Sequence, residues 1–373
     1  MKKKVLYVCH TSGSMGGAAH SLFYMVESLK DEITPVILLP AYGKTYNYFT
    51  QHGYECYVSP FTSAVRDNRL WRYVLFFLPI LIQRYIINRR CVEKVAKRYP
   101  DIDIVHSNTS VITIGYKIAQ KIGAKHVWHV REMMGNHYHL HPYFGWDDLI
   151  MKMKISNAVI GISNVILDYK NLRSLPNIHL VYNAVRHIDD ITNKQPKEKY
   201  FLFCSGSLSD EKGANEAMEA FCLSTLSELG YHLKFIGNYT SEYRDKLERI
   251  CAKYHIDCKN VEFLGECDNV SNYFQYACGF LMCSRYEALG RVTIEAMFYG
   301  CPVIAVNEGG SRDFVKNRIN GLLYDTIKDC ADAMVELTKI DTSKFIREGH
   351  KTAEELFSVE KYGSKIMQIY NSI

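Results

Sequence analysis

The sequence predicts an α/β fold in which two doubly wound, Rossmann-like domains follow one another along the chain. Short Val/Ile-rich runs alternate with longer segments of helical periodicity, and this alternation begins anew after residue 186. Such apolar runs are typical of buried strands in a parallel sheet, because helices cover both faces of that kind of sheet. A length of 373 residues is also more than one core comfortably supports, which favours two domains.

Predicted strands alternate with predicted helices in both halves. In the first half the strands are residues 4–10, 34–39, 104–107, 126–130, 158–162 and 179–182, and the helices are 18–30 and 111–121. In the second half the strands are residues 200–204, 233–236, 261–263, 279–282 and 302–305, and the helices are 214–229, 242–254 and 293–299. The polar stretch 186–199 is the predicted linker, so the domains are expected at residues 1–186 and 187–358.

Composition and charge limit the classes of protein to which the chain can belong. Hydrophobic residues make up 47% and charged residues 23% of the chain, which excludes a disordered or collagen-like protein. The net charge of +5 is uneven: the first 186 residues carry 23 Lys and Arg against 12 Asp and Glu, and the remainder 22 against 28. This asymmetry predicts an anionic partner for the first domain and a small ligand for the second.

The cysteines and the N-terminus indicate a cytoplasmic protein. None of the twelve cysteines forms a CxxC pair and most lie in apolar runs, which predicts free thiols in a reducing compartment. The start of the chain is basic like a signal peptide, but its apolar stretch is broken at His10, Ser12 and Gly13. We therefore expect a first strand there and no export.

Residues 70–90, LWRYVLFFLPILIQRYIINRR, interrupt the alternation with an apolar, aromatic and basic segment. Its longest apolar run contains Pro79 and is much shorter than the roughly 20 residues that a membrane span needs. A helix of this composition can lie in a membrane interface. Alternatively, it is a core helix whose ends carry solvated arginines, and both interpretations stay open here.

The densest chemical signal lies between residues 284 and 324. A predicted strand is followed by a loop with Glu287, Gly290 opens the next helix, and Glu295 lies in its second turn. Free N–H groups and the dipole at a helix start favour a bound anion such as a diphosphate. Because a carboxylate accepts hydrogen bonds well from hydroxyl groups, the pattern predicts a site for a diphosphate together with sugar and ribose hydroxyls.

The same region resembles a known family of enzymes. Glu287 and Glu295 are followed by GCPVIA at 300–305, Gly309-Gly310 and NGLL at 320–323. This series resembles the retaining glycosyltransferases of family 4, which have the GT-B fold: two Rossmann-like domains facing a central cleft. Elsewhere the resemblance rests on shorter marks, at residues 16–18, 105–108, 128–132 and 181–185, and on a last helix at 359–373. The resemblance places that helix against the first domain.

The resemblance implies roles in binding a nucleotide-diphosphate sugar, the donor. Glu287 is expected to hold hydroxyls of the donor sugar, Glu295 those of the ribose, and Lys212 to pair with the diphosphate. The other donor-side residues that it implies are Gly16, Gly17, Gly206, Ala288, Leu289 and Gly290. Ser207 departs from the family, which commonly has arginine at that position, so one cation of the diphosphate site is missing. Arg291, at the start of the helix after Gly290, is positioned to replace it.

His129 is the strongest candidate in the first domain. It lies at the carboxyl end of a predicted strand, where ligands of doubly wound sheets bind, and it resembles the family histidine that faces the donor sugar. With Glu287 and Lys212 it completes the expected catalytic set, although histidines in such places more often only pack. His106, Arg131 and Glu132 are weaker candidates on the acceptor side.

Other patterns in the sequence do not support a site. Five histidines fall between His126 and His141, but no cysteine or carboxylate stands at structural-zinc spacing, so we expect an acceptor-side loop and no metal. Asp101-x-Asp103 resembles the metal-binding DxD of unrelated glycosyltransferases, yet it begins a strand, the wrong end for a site. The basic half lacks a nucleic-acid recognition motif, and a Ser-His-Asp hydrolase is unsupported without GxSxG.

The resemblance implies a retaining, metal-independent glycosyltransferase of the hexosyltransferase type. It would move a sugar from a UDP- or GDP-linked donor to a hydroxyl of a glycan or lipid-linked glycan, in capsular, exopolysaccharide or other cell-surface glycan assembly. No cofactor and no nucleic acid are expected, and the acceptor is expected at the inner face of the plasma membrane. Two alternatives are a GT-B nucleotide-sugar epimerase and a catalytically silent sugar-nucleotide-binding module, which only Ser207 favours.

Overall fold

A computed structural model of the chain describes residues 2–13, 15–67, 77–135, 139–194 and 197–373, with Phe77 described by its backbone alone. The chain divides into two compact units. The first unit contains Met1–Ala184 and Tyr362–Ile373, and the second contains Val185–Lys361.

A seven-stranded parallel sheet forms the centre of the first unit. Its strands are β1 (Lys3–Val8), β2 (Ile33–Leu39), β3 (Glu55–Val58), β5 (Ile104–Ser107), β6 (Lys125–Val130), β8 (Ala158–Gly161) and β9 (Ile178–Leu180); β4 (Val65–Asp67) and β7 (Leu140–Pro142) form a separate antiparallel pair. The spatial order is β3-β2-β1-β5-β6-β8-β9. Because this order reverses between β1 and β5, the carboxyl ends of these strands form a switch point of the kind at which doubly wound sheets bind ligands.

Helices connect the strands of the first unit. They are α1 (Gly17–Ser28), α2 (Lys44–Gln51), α3 (Phe77–Arg98), α4 (Ile114–Ile122), α5 (Gly145–Lys154) and α6 (Asn164–Asp168). Of the segment 70–90, residues 70–76 lie outside the described part of the chain, and the remainder belongs to α3. No helix in the described part is both long enough and apolar enough to span a membrane.

The second unit has a six-stranded parallel sheet. Its strands are β10 (Tyr200–Ser207), β11 (His232–Asn238), β12 (Val261–Gly265), β13 (Gly279–Met282), β14 (Val303–Val306) and β15 (Leu322–Tyr324), and its helices are α7 (Ala214–Ser224), α8 (Ser241–Lys253), α9 (Val270–Tyr276), α10 (Arg291–Phe298), α11 (Ile327–Leu337) and α12 (Ser343–Phe357). The order β12-β11-β10-β13-β14-β15 places the switch point between β10 and β13. The last helix, α13 (Val359–Ser372), belongs to the first unit from Tyr362 onward.

Alternate residues of the strands build the core of the second unit. Phe201 and Phe203 point to the same face of β10, since side chains alternate along a strand, and they pack with Phe221 of α7. Phe235 of β11 joins them, with its ring centroid 5.4 Å from that of Phe203. Each of these fully buried rings contributes roughly 1.5–3 kcal/mol to the free energy of unfolding.

The structure differs from the predicted elements at a few places. Strands β3, β4, β7 and β15 were not predicted, because each is only three or four residues long and has no extended apolar run. The predicted helix 214–229 ends at Ser224, since Thr225 adopts a left-handed backbone with a φ of 56°, and a 3-10 turn follows at Leu226–Leu229. Strand β10 extends beyond residue 204 to Ser207, which pairs with Asn238 after an irregularity.

Asn320, part of the NGLL signature, holds a loop of the second unit together. Its side chain is buried, accepts a hydrogen bond from the backbone of Lys316 at 2.6 Å, and donates to the carbonyl of Phe314 and the hydroxyl of Thr352, both at 2.9 Å. These bonds satisfy three backbone or side-chain groups inside the unit. The asparagine of the signature therefore has a structural function here.

We expect Asn320→Ala to lower the free energy of unfolding by about 1–3 kcal/mol, because it leaves buried polar groups without partners. Chemical denaturation followed by circular dichroism measures this loss. Asn371→Ala, at an exposed position in α13, is the matched control and should be nearly neutral. Equal stability of the two variants would contradict the structural role of Asn320.

Candidate active site

Lys212 and Glu287 meet at the switch point of the second sheet. Lys212 lies in the loop after β10 and Glu287 in the loop after β13, and these two strands are hydrogen-bonded neighbours in the sheet. The Lys212 ammonium donates a hydrogen bond to Oε1 of the Glu287 carboxylate. The structure thus brings together two residues that lie 75 positions apart in the sequence.

The two loops approach each other closely at a glycine. Gly213 has a φ of +79°, and a Cβ atom at this position would lie 2.3 Å from the carbonyl oxygen of Cys283. The Ser284 hydroxyl donates to the carbonyl of Glu211 at 3.1 Å and joins the same loops. A side chain at residue 213 would separate the loops, so the glycine allows Lys212 to reach Glu287.

Arg285 anchors the loop that carries Glu287. Its guanidinium donates to both oxygens of Glu216 at 3.1 and 3.2 Å and to Glu308 at 2.5 Å. These carboxylates, Glu216 foremost, raise the pKa of Arg285 above its usual range. The backbone N–H of Gly310 also donates to the carbonyl of Glu287 at 2.8 Å. The loop is therefore held from both sides, and the sequence did not reveal this support.

The start of α10 offers backbone donors beside Glu287. Gly290 precedes the helix with a φ of +80°, and a Cβ there would lie 2.4 Å from the Ser311 hydroxyl, so only glycine fits. Within the described part of the chain, the N–H groups of Ala288, Leu289 and Gly290 have no hydrogen-bond acceptor. Free donors at the positive end of a helix form a favourable place for an anion.

Glu295 lies between two arginines. Its Oε1 is 3.5 Å from Nη2 of Arg186 and 3.8 Å from Nη2 of Arg291. Arg291, expected to help hold a diphosphate, thus already has a carboxylate partner on its own helix. Arg186 was not among the predicted site residues, because it follows the signature at 181–185 and was assigned to the end of the first domain. Its only sequence signal is its position directly after that signature.

The predicted glycines of both units lie near the carboxyl end of a strand that flanks the switch point of its sheet. Gly206 and Ser207 are exposed at the end of β10, beside the loop that carries Lys212. In the first unit, Gly16 and Gly17 begin α1 after β1, and Asn108, after β5, donates to the carbonyl of Ala18 at 3.0 Å. Gly16 and Gly17 therefore lie at the switch point of their own sheet.

His129 is fully buried in β6 and contacts a buried guanidinium. Its Nδ1 lies 3.3 Å from Nη2 of Arg131. Arg131 also donates from Nε to Asn108 at 3.0 and 3.1 Å and from Nη1 to Asn183, and it makes no ion pair with any described carboxylate. The cation is therefore held by neutral groups, and its charge acts directly on His129.

A chain of hydrogen bonds continues from His129 toward α13. His106, also fully buried, has its Nε2 3.1 Å from Nδ1 of His129 and its Nδ1 2.7 Å from the hydroxyl of Tyr370. Tyr370 in turn contacts the hydroxyl of Tyr7 at 3.1 Å. Both histidines that the sequence analysis selected in strands 104–107 and 126–130 thus belong to one buried network.

The network fixes the protonation state of His129. Arg131 can only donate, so Nδ1 of His129 must accept, and its proton is on Nε2. His106 then donates from Nε2 to His129. Burial lowers the pKa of both histidines well below the usual value, and the charge of Arg131 lowers it further. The Nε2–H of buried His129 has no acceptor among the described residues, so it is a donor available to a ligand.

The other residues considered in the sequence take no part in the two groups of contacts described above. Glu132 accepts hydrogen bonds from the backbone and hydroxyl of Ser110 at 3.2 and 3.0 Å. Asp101 and Asp103 both contact Lys4, by an ion pair at 3.0 Å and a backbone hydrogen bond at 2.7 Å. His137 lies outside the described residues. In the described part, no group of three His, Cys, Asp or Glu side chains is placed to hold a metal ion.

A family model and two curated relatives match the sequence. The model of the family "Glycosyl transferases group 1" matches residues 185–349. An uncharacterized glycosyltransferase of Methanocaldococcus jannaschii is 25% identical over 78% of this chain and 81% of its own length. The O-antigen biosynthesis glycosyltransferase WbnH of Escherichia coli is 29% identical over 52% of this chain and 53% of its own, so that alignment spans about half of each protein.

Solved structures resemble the whole chain in fold. HepE of Anabaena, solved in complex with UDP, has a TM-score of 0.79 at 17% identity and covers 100% of both chains. The same protein in complex with UDP-glucose has a TM-score of 0.73 at 18% identity and covers 99% of this chain and 100% of its own. Together with the two parallel sheets and their strand order, this likeness confirms the predicted GT-B fold.

The buried histidines predict how stability depends on pH. Burial lowers the pKa of His126 to about 3, and those of His106 and His129 also lie far below their unfolded value of about 6.5. Below about pH 6.5 the unfolded chain binds more protons than the folded chain, so the free energy of unfolding falls as the pH falls. The expected loss is about 1.4 kcal/mol per pH unit for each histidine.

Tryptophan fluorescence during urea denaturation measures this in the first unit, because all three tryptophans of the chain lie before residue 184 in the sequence. His126→Gln should reduce the pH slope by about one proton. Comparison of slopes separates this effect from the loss of the hydrogen bonds that His126 makes with Ser107 and Ser156, both at 2.9 Å. An unchanged slope in the variant would contradict a buried, neutral His126.

Proposed function

We propose that this chain, whose residues 185–349 belong to the glycosyl transferases group 1, moves a sugar from a nucleotide-diphosphate sugar to a hydroxyl of a glycan or lipid-linked glycan. The donor is a UDP- or GDP-linked sugar, and the reaction proceeds with retention and without a metal ion. The second unit binds the donor and the first unit binds the acceptor.

One observation carries the proposal: Lys212 and Glu287 meet at the switch point of the second sheet, beside free N–H groups at the start of α10. A diphosphate needs cations and fixed donors, which Lys212 and the backbone of Ala288 and Leu289 supply. A sugar needs acceptors for its hydroxyl protons, which Glu287 supplies. Each half of a nucleotide sugar therefore has a matching group within one small region.

Glu295 and Arg291 extend the donor site. In the proposal the Glu295 carboxylate accepts the ribose hydroxyls, and the two flanking arginines orient it. Arg291 then contributes its positive charge to the diphosphate, where Ser207 leaves the family's usual arginine unfilled. Arg186 is a positioning residue for Glu295.

His129 acts as a neutral hydrogen-bond donor in this proposal. Its orphan Nε2–H is suited to an oxygen of the donor sugar, and the adjacent Arg131 disfavours protonation of the ring. We therefore assign His129 to orientation of the sugar rather than to acid catalysis. Gly16 and Gly17 allow close approach of a ligand at the neighbouring switch point.

The chemistry requires charge stabilisation more than a nucleophile. The nucleotide diphosphate is already a good leaving group, and Lys212, Arg291 and the helix N–H groups absorb the charge that develops on it. The departing phosphate takes the proton of the acceptor hydroxyl, which attacks from the same face, so that the C1–oxygen bond to phosphate breaks as the new glycosidic bond forms. Holding both substrates in this geometry supplies the remaining rate enhancement.

The names of similar proteins support the proposed nucleotide of the donor and the proposed kind of product. HepE was solved with UDP and with UDP-glucose, which supports a UDP-linked donor. WbnH is named for O-antigen biosynthesis, which supports a cell-surface glycan as product. The basic charge of the first 186 residues supports an anionic acceptor.

A panel of UDP- and GDP-sugars, with nucleotide release as the readout, tests the activity. A transferase releases nucleotide rapidly only with an acceptor, an epimerase yields an altered sugar, and a silent module gives a thermal shift without release. We expect the first result, with an unchanged rate when EDTA replaces Mg²⁺ and with retained anomeric configuration by NMR. Either of the other results would overturn the proposal.

Glu287→Gln should lower kcat by about a hundredfold or more, because the donor sugar loses its ionised acceptor and its orientation. Glu228→Gln, on an exposed turn of the same unit, is the control and should retain full activity. Circular dichroism of both variants checks that they fold. Full activity of Glu287→Gln would remove Glu287 from the site.

Arg291→Ala should raise the KM for the donor by about fivefold to tenfold, since a charge-assisted contact to the diphosphate contributes about 1–1.4 kcal/mol. Arg318→Ala, at an exposed ion pair with Glu336, is the control. If donor affinity and turnover are unchanged in Arg291→Ala, the missing cation at Ser207 is not replaced by Arg291, and Lys212 with the helix start must suffice.

A further inference from the structure

A cavity in the first unit combines unpaired positive charge with apolar walls. It has a volume of about 100 Å³, room for about three water molecules. We call it the basic cavity; its lining includes the cationic side chains Arg84, Lys117 and Lys152, the carboxylate of Asp148, and the rings of Tyr85 and Phe144. A space of this size suits a phosphate group better than an oligosaccharide.

The charges of the basic cavity are not balanced. Lys152 pairs with Asp148, the only carboxylate among the described residues that line the cavity. Lys117 has no hydrogen bond or ion pair through its ammonium group with any described residue. Burial, and then the charge of Lys152, lower the pKa of Lys117, while Asp148 opposes the shift. Arg84 donates to the carbonyl of Ser63 at 2.7 Å and forms no ion pair with a described carboxylate.

Lys117 and Arg84 are half-buried cations that form no ion pair with a described carboxylate, which disfavours an empty cavity, because desolvation and mutual repulsion both cost free energy. An anion placed between Lys117 and Arg84 relieves both costs. The location also fits a ligand site, since Ser110 and Thr113 in its wall follow β5 at the carboxyl edge of the sheet. Ser110 additionally contacts Glu132, one of the predicted acceptor-side residues.

Exposed apolar side chains lie on or next to two helices, α3 and α5, that contribute residues to the wall of this cavity. On α3, Leu78, Ile82, Tyr85 and Ile86 follow helical spacing on one face and are 42–65% exposed. Phe144, just before α5, is 70% exposed; Met151 in α5 and Ile155, directly after it, are 63% and 61% exposed. We call these seven residues the apolar rim. A patch of this kind, next to cations, is typical of a surface that contacts lipid.

The exposure of α3 bears on the core-helix interpretation of residues 70–90, for the part that is described. A core helix would bury these apolar side chains, whereas in the structure they face outward and Asn88 and Cys91 face inward. Arg89 and Arg90 continue the exposed face beyond the apolar stretch. The helix therefore has the amphipathic pattern of an interfacial segment.

We infer that the basic cavity binds the phosphate of an anionic membrane amphiphile while the apolar rim contacts the bilayer around it. This inference rests on the proposed transferase function, for which the cavity is the head-group subsite of a lipid-linked acceptor. A membrane is favoured over a protein partner because the cations and the apolar side chains match, respectively, the phosphate and the acyl or prenyl chains of one molecule.

Binding of octyl phosphate, followed by tryptophan fluorescence of the first unit, tests the cavity directly. Lys117→Met/Lys152→Met should weaken binding by about fivefold for each lysine removed. Lys121→Met/Lys154→Met removes the same charge from exposed positions of the same two helices and should bind like the unmodified protein. Equal binding by both double variants overturns the inference, as does inorganic phosphate or octanol binding as tightly as octyl phosphate.

Co-sedimentation with phosphatidylcholine vesicles, with and without phosphatidylglycerol, tests the rim. Ile82→Ser/Ile86→Ser should weaken vesicle binding by about tenfold and leave octyl phosphate binding unchanged, since neither side chain lines the cavity. Leu229→Ser/Ile340→Ser, at exposed positions of the second unit, is the control. Unchanged vesicle binding by the rim variant, or conversion of a dimer to monomers by it, overturns the inference.

The donor site provides an independent readout. A thermal shift with UDP should be the same in all four double variants, because none of the substituted residues belongs to the loops of Lys212 or Glu287. A protein that binds octyl phosphate but shows no donor turnover would refute the proposed function and keep the cavity. A protein that transfers sugar but binds octyl phosphate equally well in both lysine variants would do the reverse.

Discussion

The close approach of Gly213 to Cys283 is the constraint on which the candidate site depends. Parallel strands β10 and β13 end side by side, but their loops meet only because residue 213 has no side chain. The loop after β13 is further held by Arg285 between Glu216 and Glu308. An ion pair between Lys212 and Glu287 is the result, so the geometry of a polar site follows from a steric condition at a glycine.

The first unit buries a cation, the Arg131 guanidinium, that forms no ion pair with a described carboxylate. Arg131 is held by the amide oxygens of Asn108 and Asn183 and by His129, and its charge excludes a second charge on the imidazole. Tyr370 of α13 contacts His106 in the same network, at 2.7 Å, so the last helix takes part in the hydrogen bonding that surrounds His129. Packing of the C-terminal helix and the hydrogen bonding of His129 are therefore linked.

The sequence was sufficient for the fold class and for residues that carry a local signature, and insufficient for contacts between distant segments. Glu287, Gly290 and Glu295 stand within nine positions, so their spacing alone placed them at a helix start. Arg186 and Arg285 have no such signal, because their importance arises from partners that only the folded chain brings near. The basic cavity was not predicted either, because Lys117 and Lys152 belong to separate helices. Only the folded chain shows that both lysines line one cavity, together with a single described carboxylate, that of Asp148.

The ion pair of Lys212 and Glu287 has a consequence for the order of events at the site. While no nucleotide is bound, each group satisfies the other, so the region is electrically self-compensated and resists non-specific anions. Under the proposed function, a diphosphate would compete for the ammonium group and so release the carboxylate as the attached hexose comes within reach. Binding of the two parts of the donor would then be coupled: free phosphate would pair with the lysine and leave the glutamate without a partner, whereas the complete sugar diphosphate would satisfy both.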